Sequence, residues 1–233
     1  MRRGVLLAAA GSGGKTTALG LLARELAEHS VLLTTTTHIF PVSPPRSRCL
    51  LKDPDELQLL HALRRPGVVC AGTHAAEGKL GPLPLPLLMR AAKEADVTLC
   101  EADGARGKPL KLHRPGEPVI PPGTDLCLLV AGLSALGRPV GEAVHRYGRN
   151  PRWEAEPDRP VGREELLLCM EEGIAACGGA GEKLRILLNQ ADTPDRCAAA
   201  AWVAAVLRKK GISCRVGDLK TDASFLRPWL LGG

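Results

Sequence analysis

Short apolar runs alternate with helix-length segments along this chain, and this alternation constrains the possible folds more than any other feature. Seven runs have the length and apolar character of buried strands, at residues 4–10, 31–37, 68–72, 97–103, 125–132, 184–190 and 212–218. Helices are predicted between them, at residues 15–29, from Asp53 (as N-cap) and Pro54 onward, and at 84–95, 163–177 and 194–210. Apolar strands separated by helices are typical of a parallel sheet with both faces covered. We therefore expect an α/β fold, a doubly wound, mostly parallel sheet with helices on both faces.

The length of 233 residues fits one domain that spans residues 1–233. Within it, residues 137–162 are rich in Gly, Pro and Arg and lack apolar periodicity. A long irregular insertion is expected there, and such loops are usually functional or mobile. Residues 40–52 have a similar character, and we expect an irregular loop there as well.

The composition argues against several classes of protein. Hydrophobic residues make up 45% and charged residues 24%, the balance of a soluble globular protein, and no apolar run approaches the ~18 residues that a membrane span needs. Three Trp, two Phe and one Tyr are few for a surface that stacks nucleic-acid bases, and the net charge of +6 is dispersed. The eight cysteines form no C-x-x-C pair, which favours buried thiols in a reducing cytosol. We expect a cytoplasmic protein with no nucleic acid and no membrane among its partners.

A glycine-rich segment follows the first predicted strand and opens the first predicted helix. It reads Gly11-Ser12-Gly13-Gly14-Lys15-Thr16-Thr17, and this context is the one that a phosphate-binding loop requires. Glycines let backbone N–H groups converge on phosphate oxygens, Lys15 supplies a positive charge to the β- and γ-phosphates, and the Thr16 hydroxyl can bind Mg²⁺. The loop is a variant, because Ala9 stands where the usual pattern has its first glycine.

Two carboxylates, Glu101 and Asp103, close the fourth predicted strand. Carboxyl ends of strands line the ligand crevice of such sheets, where a carboxylate can hold Mg²⁺ directly or through water. On a continuing strand the two residues would share a face. The alternative is an acidic strand end paired with Arg106 or Lys108, in a stretch that could instead bind anions or move as a switch. We expect both carboxylates to serve Mg²⁺ and turnover rather than folding.

A third motif, Asn189-Gln190-Ala191-Asp192, follows the sixth predicted strand. It is similar to the N-K-x-D element with which many GTPases bind guanine, with Gln190 in place of the lysine. Asn189 and Asp192 are therefore candidate nucleotide-binding residues. Alternatively, Asp192 or Thr193 before Pro194 is only the N-cap of the next helix.

Together these elements resemble the YqeC family. The resemblance rests on GSGGKTT, LLTTTTHI, VTLCEADGARGKPLK, EPVIP, GLSALG, Val144-His145-Arg146 and LLNQAD. It implies a P-loop NTPase-like fold and an accessory role in the maturation of selenium-dependent molybdenum hydroxylases. The expected partners are then the nucleotide and a molybdenum hydroxylase or its cofactor-assembly proteins.

The residues and the resemblance predict Mg²⁺-dependent binding and hydrolysis of GTP or ATP. The expected catalytic residues are Lys15, Glu101 and Asp103, and the expected metal ligands are Thr16, Glu101 and Asp103. The nucleotide contacts are predicted at Gly11, Ser12, Gly13, Gly14, Lys15, Thr16, Thr17, Asn189 and Asp192. Two alternatives are a nucleotide-responsive chaperone or carrier with negligible turnover, and a small-molecule kinase or ATP-dependent ligase.

Overall fold

A computed structural model describes residues 4–40, 48–179 and 181–232. Over these residues, a sheet of nine strands forms the centre of the molecule. Its strands are β1 (Val5–Gly11), β2 (Ser30–Thr35), β3 (Cys49–Lys52), β4 (Gly67–His74), β5 (Leu80–Gly81), β6 (Val97–Glu101), β8 (Leu126–Gly132), β10 (Leu184–Asn189) and β11 (Ser213–Val216). The order across the sheet is β11-β10-β8-β1-β6-β2-β4-β3, and all of these neighbours are parallel. The short β5 pairs antiparallel with β4.

Helices cover both faces of this sheet. They are α1 (Lys15–Glu25), α2 (Glu56–Leu63), α3 (Leu85–Glu94), α4 (Val140–Ala143), α5 (Pro151–Ala155), α6 (Arg163–Ala176), α7 (Pro194–Lys209) and α8 (Leu226–Leu231). On one face, α1 and α8 pack on the apolar side chains of the central strands. On the other, α6 and α7 cover the β8–β11 half, while α2 and α3 cover the β2–β4 half. The predicted α/β fold, mostly parallel with helices on both faces, is confirmed.

The segment 137–162 consists of short elements joined by turns. It contains α4, the two-residue strand β9 (Val144–His145), a 3₁₀ turn at Tyr147–Arg149, and α5. Strand β9 pairs in parallel with β7 (Leu110–Lys111), so the segment is attached to the stretch that follows the fourth predicted strand. Of the expected loop at 40–52, residues 41–47 lie outside the described part of the chain, and the end of the stretch forms β3.

Several predicted boundaries are wrong, and those of α2, β2 and β6 bear on named residues. Helix α2 begins at Glu56, and its N-cap is Asp55, whose side chain accepts a hydrogen bond from the Gln58 N–H at 2.7 Å. Asp53 instead accepts from the His74 N–H at 2.9 Å, so a contact with β4 replaces the expected cap. Strand β2 ends at Thr35 and β6 at Glu101, each two residues earlier than predicted. Asp103 therefore lies beyond the strand and does not continue its face.

No described helix has both the length and the apolar character needed to cross a membrane.

Candidate functional site

The glycine loop lies at the carboxyl end of β1, the strand between β8 and β6, and it leads directly into α1. Gly11, Gly13 and Gly14 all have positive φ angles, of 89°, 77° and 139°. A Cβ atom on Gly13 would lie 2.3 Å from the Gly132 nitrogen, which shows that the loop is closely packed as well as left-handed. The glycines at these positions are thus required by the backbone conformation.

The loop offers several polar groups to a ligand. The first N–H groups of a helix have no partner within the helix, and in α1 these belong to Lys15, Thr16 and Thr17. The buried hydroxyl of Ser12 also has no hydrogen-bond partner among the described residues. Backbone donors at a helix N-terminus, with an unpartnered hydroxyl beside them, are suited to an anion such as a phosphate group.

The Lys15 side chain is buried and folds back onto its own loop. Its Nζ donates a hydrogen bond to the Gly11 carbonyl oxygen at 2.5 Å, and it lies 3.1 Å from the Asp103 Oδ1 and 3.7 Å from the Glu101 Oε1. The ammonium group is thus held between two carboxylates at the mouth of the loop.

Glu101, the last residue of β6, meets Thr16 in the first turn of α1. The Thr16 Oγ1 donates a hydrogen bond to the Glu101 Oε2 at 2.7 Å. Burial raises the pKa of Glu101, and the charge of Lys15 and the Thr16 hydrogen bond offset part of that rise. A hydroxyl and a carboxylate this close are oxygen ligands of the kind that Mg²⁺ prefers.

Asp103 has a different environment, because its side chain is fully buried among donors. It accepts hydrogen bonds from the Gly11 N–H at 2.9 Å and from the Lys111 Nζ at 2.9 Å, and it lies 3.0 Å from the His113 Nε2. Burial alone would raise the pKa of Asp103. The His113 hydrogen bond and the charges of Lys15 and Lys111 outweigh burial and hold the pKa well below its usual range. The partners of Asp103 are thus Lys15, Lys111 and His113 rather than Arg106 or Lys108.

The charged network extends from Asp103 to α6. The His113 Nδ1 lies 2.7 Å from the Glu172 Oε2, and the His113 N–H donates to the Glu172 Oε1 at 2.8 Å. Burial lowers the pKa of His113, but its contacts with Asp103 and Glu172 outweigh this effect and the pKa is raised.

A second branch of the network reaches the segment 137–162 through Glu117. Lys111 lies 3.4 Å from the Glu117 Oε2, and Arg146 binds both carboxylate oxygens of Glu117, at 2.5 and 2.9 Å. Burial raises the pKa of Glu117, but the Arg146 hydrogen bond and nearby charges overcome it and lower the pKa to about 2. Sequence reasoning missed Lys111, His113, Glu117, Arg146 and Glu172 as members of one network. The alternation of Lys111 and His113 just after the acidic motif is a signal that could have indicated the first two.

Asn189 connects the glycine loop to a second loop, after β11. Its Nδ2 donates to the Gly13 carbonyl oxygen at 2.8 Å, and its Oδ1 accepts from the Leu219 N–H at 3.0 Å. Gln190 has a φ of 70°, and its side-chain oxygen accepts from the Ser134 N–H at 3.3 Å. The structure thus places Asn189 directly beside the glycine loop.

Asp192 is exposed and forms an ion pair with Arg196, one turn further along α7. The Arg196 hydrogen bond lowers the pKa of Asp192. Thr193 is the N-cap of α7, since its side chain accepts a hydrogen bond from the Arg196 N–H at 3.3 Å. The capping function therefore belongs to Thr193, and the Asp192 carboxylate is accessible.

Comparison with known proteins gives the family. Residues 7–148, more than half of the chain, match the family model described as YqeC protein. The chain belongs to the YqeC family. It is also 38% identical over 157 residues to a protein of Escherichia coli (strain K12) named "Uncharacterized protein YqeC". That alignment covers 64% of this chain and 60% of the relative, so the chain matches less than two thirds of the relative's length.

The extent of the YqeC family match divides the site residues into two groups. The glycine loop, Glu101 and Asp103 all lie within residues 7–148, as do Lys111, His113, Glu117 and Arg146. Asn189 and Asp192 lie beyond its end. The part of the chain that defines YqeC family membership therefore contains the glycine loop and most of the charged network.

Proposed function

We propose that this protein binds a Mg²⁺–nucleoside triphosphate, GTP or ATP, at the loop of residues 11–17 and hydrolyses it. The observation that carries the proposal is the convergence of three features at one edge of the sheet. These features are the closely packed glycine loop, the buried Lys15 and the Thr16–Glu101 pair at 2.7 Å. Each suits one part of a metal-bound triphosphate, and β1, β6 and α1 hold them together.

Each residue has a distinct part in the proposed reaction. The N–H groups of Lys15, Thr16 and Thr17 bind phosphate oxygens, and the Lys15 ammonium moves from the Gly11 carbonyl and Asp103 to the β- and γ-phosphates. Thr16 and Glu101 hold the metal, and Glu101 orients the attacking water. Mg²⁺, when bound, neutralises negative charge on the phosphate oxygens.

Asp103 has a positioning role in this scheme. Its carboxylate already accepts from the Gly11 N–H and from Lys111, and it contacts His113. When Lys15 turns to the phosphates, these three contacts keep the Asp103 charge compensated. The environment therefore favours Glu101 over Asp103 as the carboxylate that faces the metal.

The client is proposed from the family. As a YqeC family member, the protein would use nucleotide binding and hydrolysis in the maturation of a selenium-dependent molybdenum hydroxylase in the cytoplasm. Its macromolecular partner would be that hydroxylase or one of its cofactor-assembly proteins. Phosphate release measured with and without these partners tests the idea, and stimulation by one of them is the expected result.

The decisive experiment is nucleotide binding measured for ATP, GTP and CTP in parallel, with Mg²⁺ present. Lys15→Ala should weaken triphosphate binding roughly ten- to a hundredfold, because about 1.5–3 kcal/mol of charged hydrogen bonding is lost. Lys93→Ala removes an exposed lysine from α3 and should leave the affinity unchanged. Equal affinities for Lys15→Ala and the unmodified protein would refute the assignment of the loop.

The same assays separate turnover from the two alternatives. Phosphate released to water supports hydrolysis, whereas tight binding without release indicates a nucleotide-responsive carrier. A product that carries the phosphate on an acceptor indicates a kinase or ligase.

A further inference from the structure

A basic cluster lies next to the glycine loop, which is the proposed phosphate-binding loop. The proposed nucleotide chemistry does not use this cluster. One part of it is the turn of residues 105–108, which is closed by a hydrogen bond from the Lys108 N–H to the Ala105 carbonyl at 3.0 Å. Arg106 lies within this turn and is exposed. The turn follows Asp103 closely and leads into Pro109. The Pro109 carbonyl oxygen accepts a hydrogen bond from the Gly132 N–H, and Gly13 packs against Gly132, so the turn lies close to the glycine loop.

The other part of the cluster is β9, and contacts from Lys108 and from the stretch that follows it attach the turn to α4 and β9. The Lys108 Nζ donates to the Gly141 carbonyl at 2.7 Å and lies 3.4 Å from the Val144 carbonyl. Lys111 pairs in register with His145, and the Leu112 N–H donates to the His145 carbonyl at 3.0 Å. The turn that carries Arg106 and the strand that carries His145 are thus connected, and the Arg106 charge acts on the His145 ring.

Two cations of this cluster are already compensated by carboxylates. Lys111 is paired with Asp103 and Glu117, and Arg146 is paired with Glu117. Arg106, in contrast, has no ion pair or hydrogen-bond partner among the described residues. It is the cation of the cluster whose guanidinium is free to bind a ligand.

The His145 ring also lacks a partner among the residues that the structure describes. It is half-buried, and none of the hydrogen bonds between described residues involves its nitrogens. Burial and the charges of Arg146, Lys111 and Arg106 lower the pKa of His145 to about 4, against a small opposing effect of Glu117. Near pH 7 the ring is therefore neutral, with one nitrogen that donates and one that accepts.

The backbone conformation of this cluster also favours a functional role. Arg106 and Arg146 both have positive φ angles, of 50° and 63°, which are unfavourable for residues other than glycine. Gln190, beside the glycine loop, shares this conformation, as do Asp53 and Glu77 elsewhere in the described residues. Strained conformations of this kind collect at binding sites, where the position of a side chain outweighs the cost in the backbone.

We propose that Arg106 and His145 form a second anion-binding subsite beside the glycine loop, for an oxoanion group of a small-molecule ligand other than the nucleotide. The planar guanidinium of Arg106 supplies the charge and paired donors that suit a phosphate or carboxylate group. The neutral His145 ring adds a hydrogen bond and fixes the orientation of that group. The subsite is distinct from the nucleotide loop, and it does not depend on nucleotide hydrolysis.

The test follows the imidazole resonances of the full-length protein by NMR during a titration with inorganic phosphate at constant ionic strength. His145→Gln identifies the resonance of His145. We expect that resonance to shift saturably, and Arg106→Gln should weaken the midpoint at least tenfold. Arg90→Gln removes an equal charge from α3 and should leave the midpoint unchanged. A response without saturation, or equal midpoints for Arg106→Gln and Arg90→Gln, would refute the subsite.

A Lys15→Ala background separates this subsite from the nucleotide loop. Saturable binding at His145 should persist there, and its loss would show that phosphate occupies the loop alone and would overturn the proposal. Failure of the unmodified protein to bind nucleotide would instead overturn the proposed function and leave this titration intact. A parallel titration with acetate identifies the chemical class of the ligand. A response to phosphate alone indicates a phosphorylated ligand, and a response to acetate indicates a ligand with a carboxylate group.

Discussion

Glu101 and Asp103 are two residues apart, yet their environments assign them different tasks. Asp103→Asn would leave Lys111 and His113 facing a neutral amide, and breaking a buried charged network typically costs 3–5 kcal/mol. We expect the melting temperature to fall by roughly 6–20 °C for a chain of this size. Glu101→Gln keeps an oxygen that can accept from Thr16 and should leave the melting temperature nearly unchanged, while it weakens the Mg²⁺ dependence of nucleotide binding.

Thermal unfolding without nucleotide, followed by Mg²⁺ titration with nucleotide, checks both variants. The sequence alone led to the expectation that both carboxylates serve the metal rather than folding. Equal stability of the two variants would restore that simpler interpretation and contradict the division of labour between them.

Asp192 provides a test of base recognition. If its accessible carboxylate accepts hydrogen bonds from guanine, GTP should bind more tightly than ATP. Asp192→Asn should then weaken GTP binding ten- to a hundredfold, which corresponds to about 1.5–3 kcal/mol for a hydrogen-bonded charge, and should improve binding of xanthosine triphosphate. Asp195, in the first turn of α7, is also exposed, so Asp195→Asn is the matched control. Equal affinity for ATP and GTP in all three proteins would leave Asp192 as the ion-pair partner of Arg196 only.

At the level of single residues, the sequence predicted those parts of the site that are local. Loop 11–17 and Glu101 could be identified because a strand, a glycine-rich turn and a helix stand next to one another in the chain. The further partner of His113 could not, since Glu172 lies on a helix 59 residues away in the chain. Contacts of this kind depend on how elements pack, and no local pattern specifies them.

At the level of the elements, the Asn189 side chain connects the glycine loop to the loop after β11. Asn189→Ala would leave the Gly13 carbonyl and the Leu219 N–H without their partner in a buried position. We expect a loss of about 1–3 kcal/mol in the free energy of unfolding and weaker nucleotide binding, because the loop is no longer held in place. Urea unfolding and nucleotide titration measure the two effects.

Asn150→Ala is the comparison for this change. It removes the N-cap of α5, away from the phosphate loop, and should lower stability by about 1 kcal/mol without any change in affinity. If Asn189→Ala also leaves the nucleotide affinity unchanged, then the hydrogen bonds of Asn189 stabilise the fold alone.

The elements that sequence patterns predicted are those long enough to form an apolar run or a helix-length segment. The seven predicted strands all exist, with ends that differ by a few residues. The two-residue strands β5, β7 and β9 have no period to detect, and their pairing depends on neighbours distant in the chain. The short helices of segment 137–162 share this property, because packing on the core around Trp153 stabilises them rather than a repeating apolar face.

For the whole molecule, His145 predicts a distinct pH dependence of stability. Its pKa is lowered from 6.5 to about 4 in the folded state, so the unfolded chain binds a proton first as the pH falls. The stability contributed by the neutral ring is complete above pH 6.5 and is lost as the pH falls towards 4. His145→Gln should therefore lose less stability than the unmodified protein between pH 7 and pH 4.5, as measured by urea unfolding.

Other titratable groups also affect stability in this acid range, among them Glu117 and Glu101, and the comparison between the two proteins separates them from His145. Glu117, with a pKa lowered to about 2, loses its contribution only below its ordinary value of 4.5. Glu101 has a raised pKa and acts with the opposite sign, but it is present in both proteins and cancels in the difference. His61→Gln, which removes an exposed histidine from α2, should follow the unmodified protein. Parallel curves of stability against pH for all three proteins would contradict the assignment of this pH dependence to His145.

The strand order also determines how the polypeptide can be divided. The family match ends at residue 148, whereas β8 pairs with β10, which comes later in the chain. A fragment cut at residue 148 would expose the edge of β8 and the apolar surface around Leu129 and Ala131 that α6 and α7 cover. Unpaired, apolar strand edges recruit other chains, so such a fragment would precipitate on expression. The region by which the family is recognised is therefore not an autonomous folding unit, and shortened versions of the protein should retain β10 and β11.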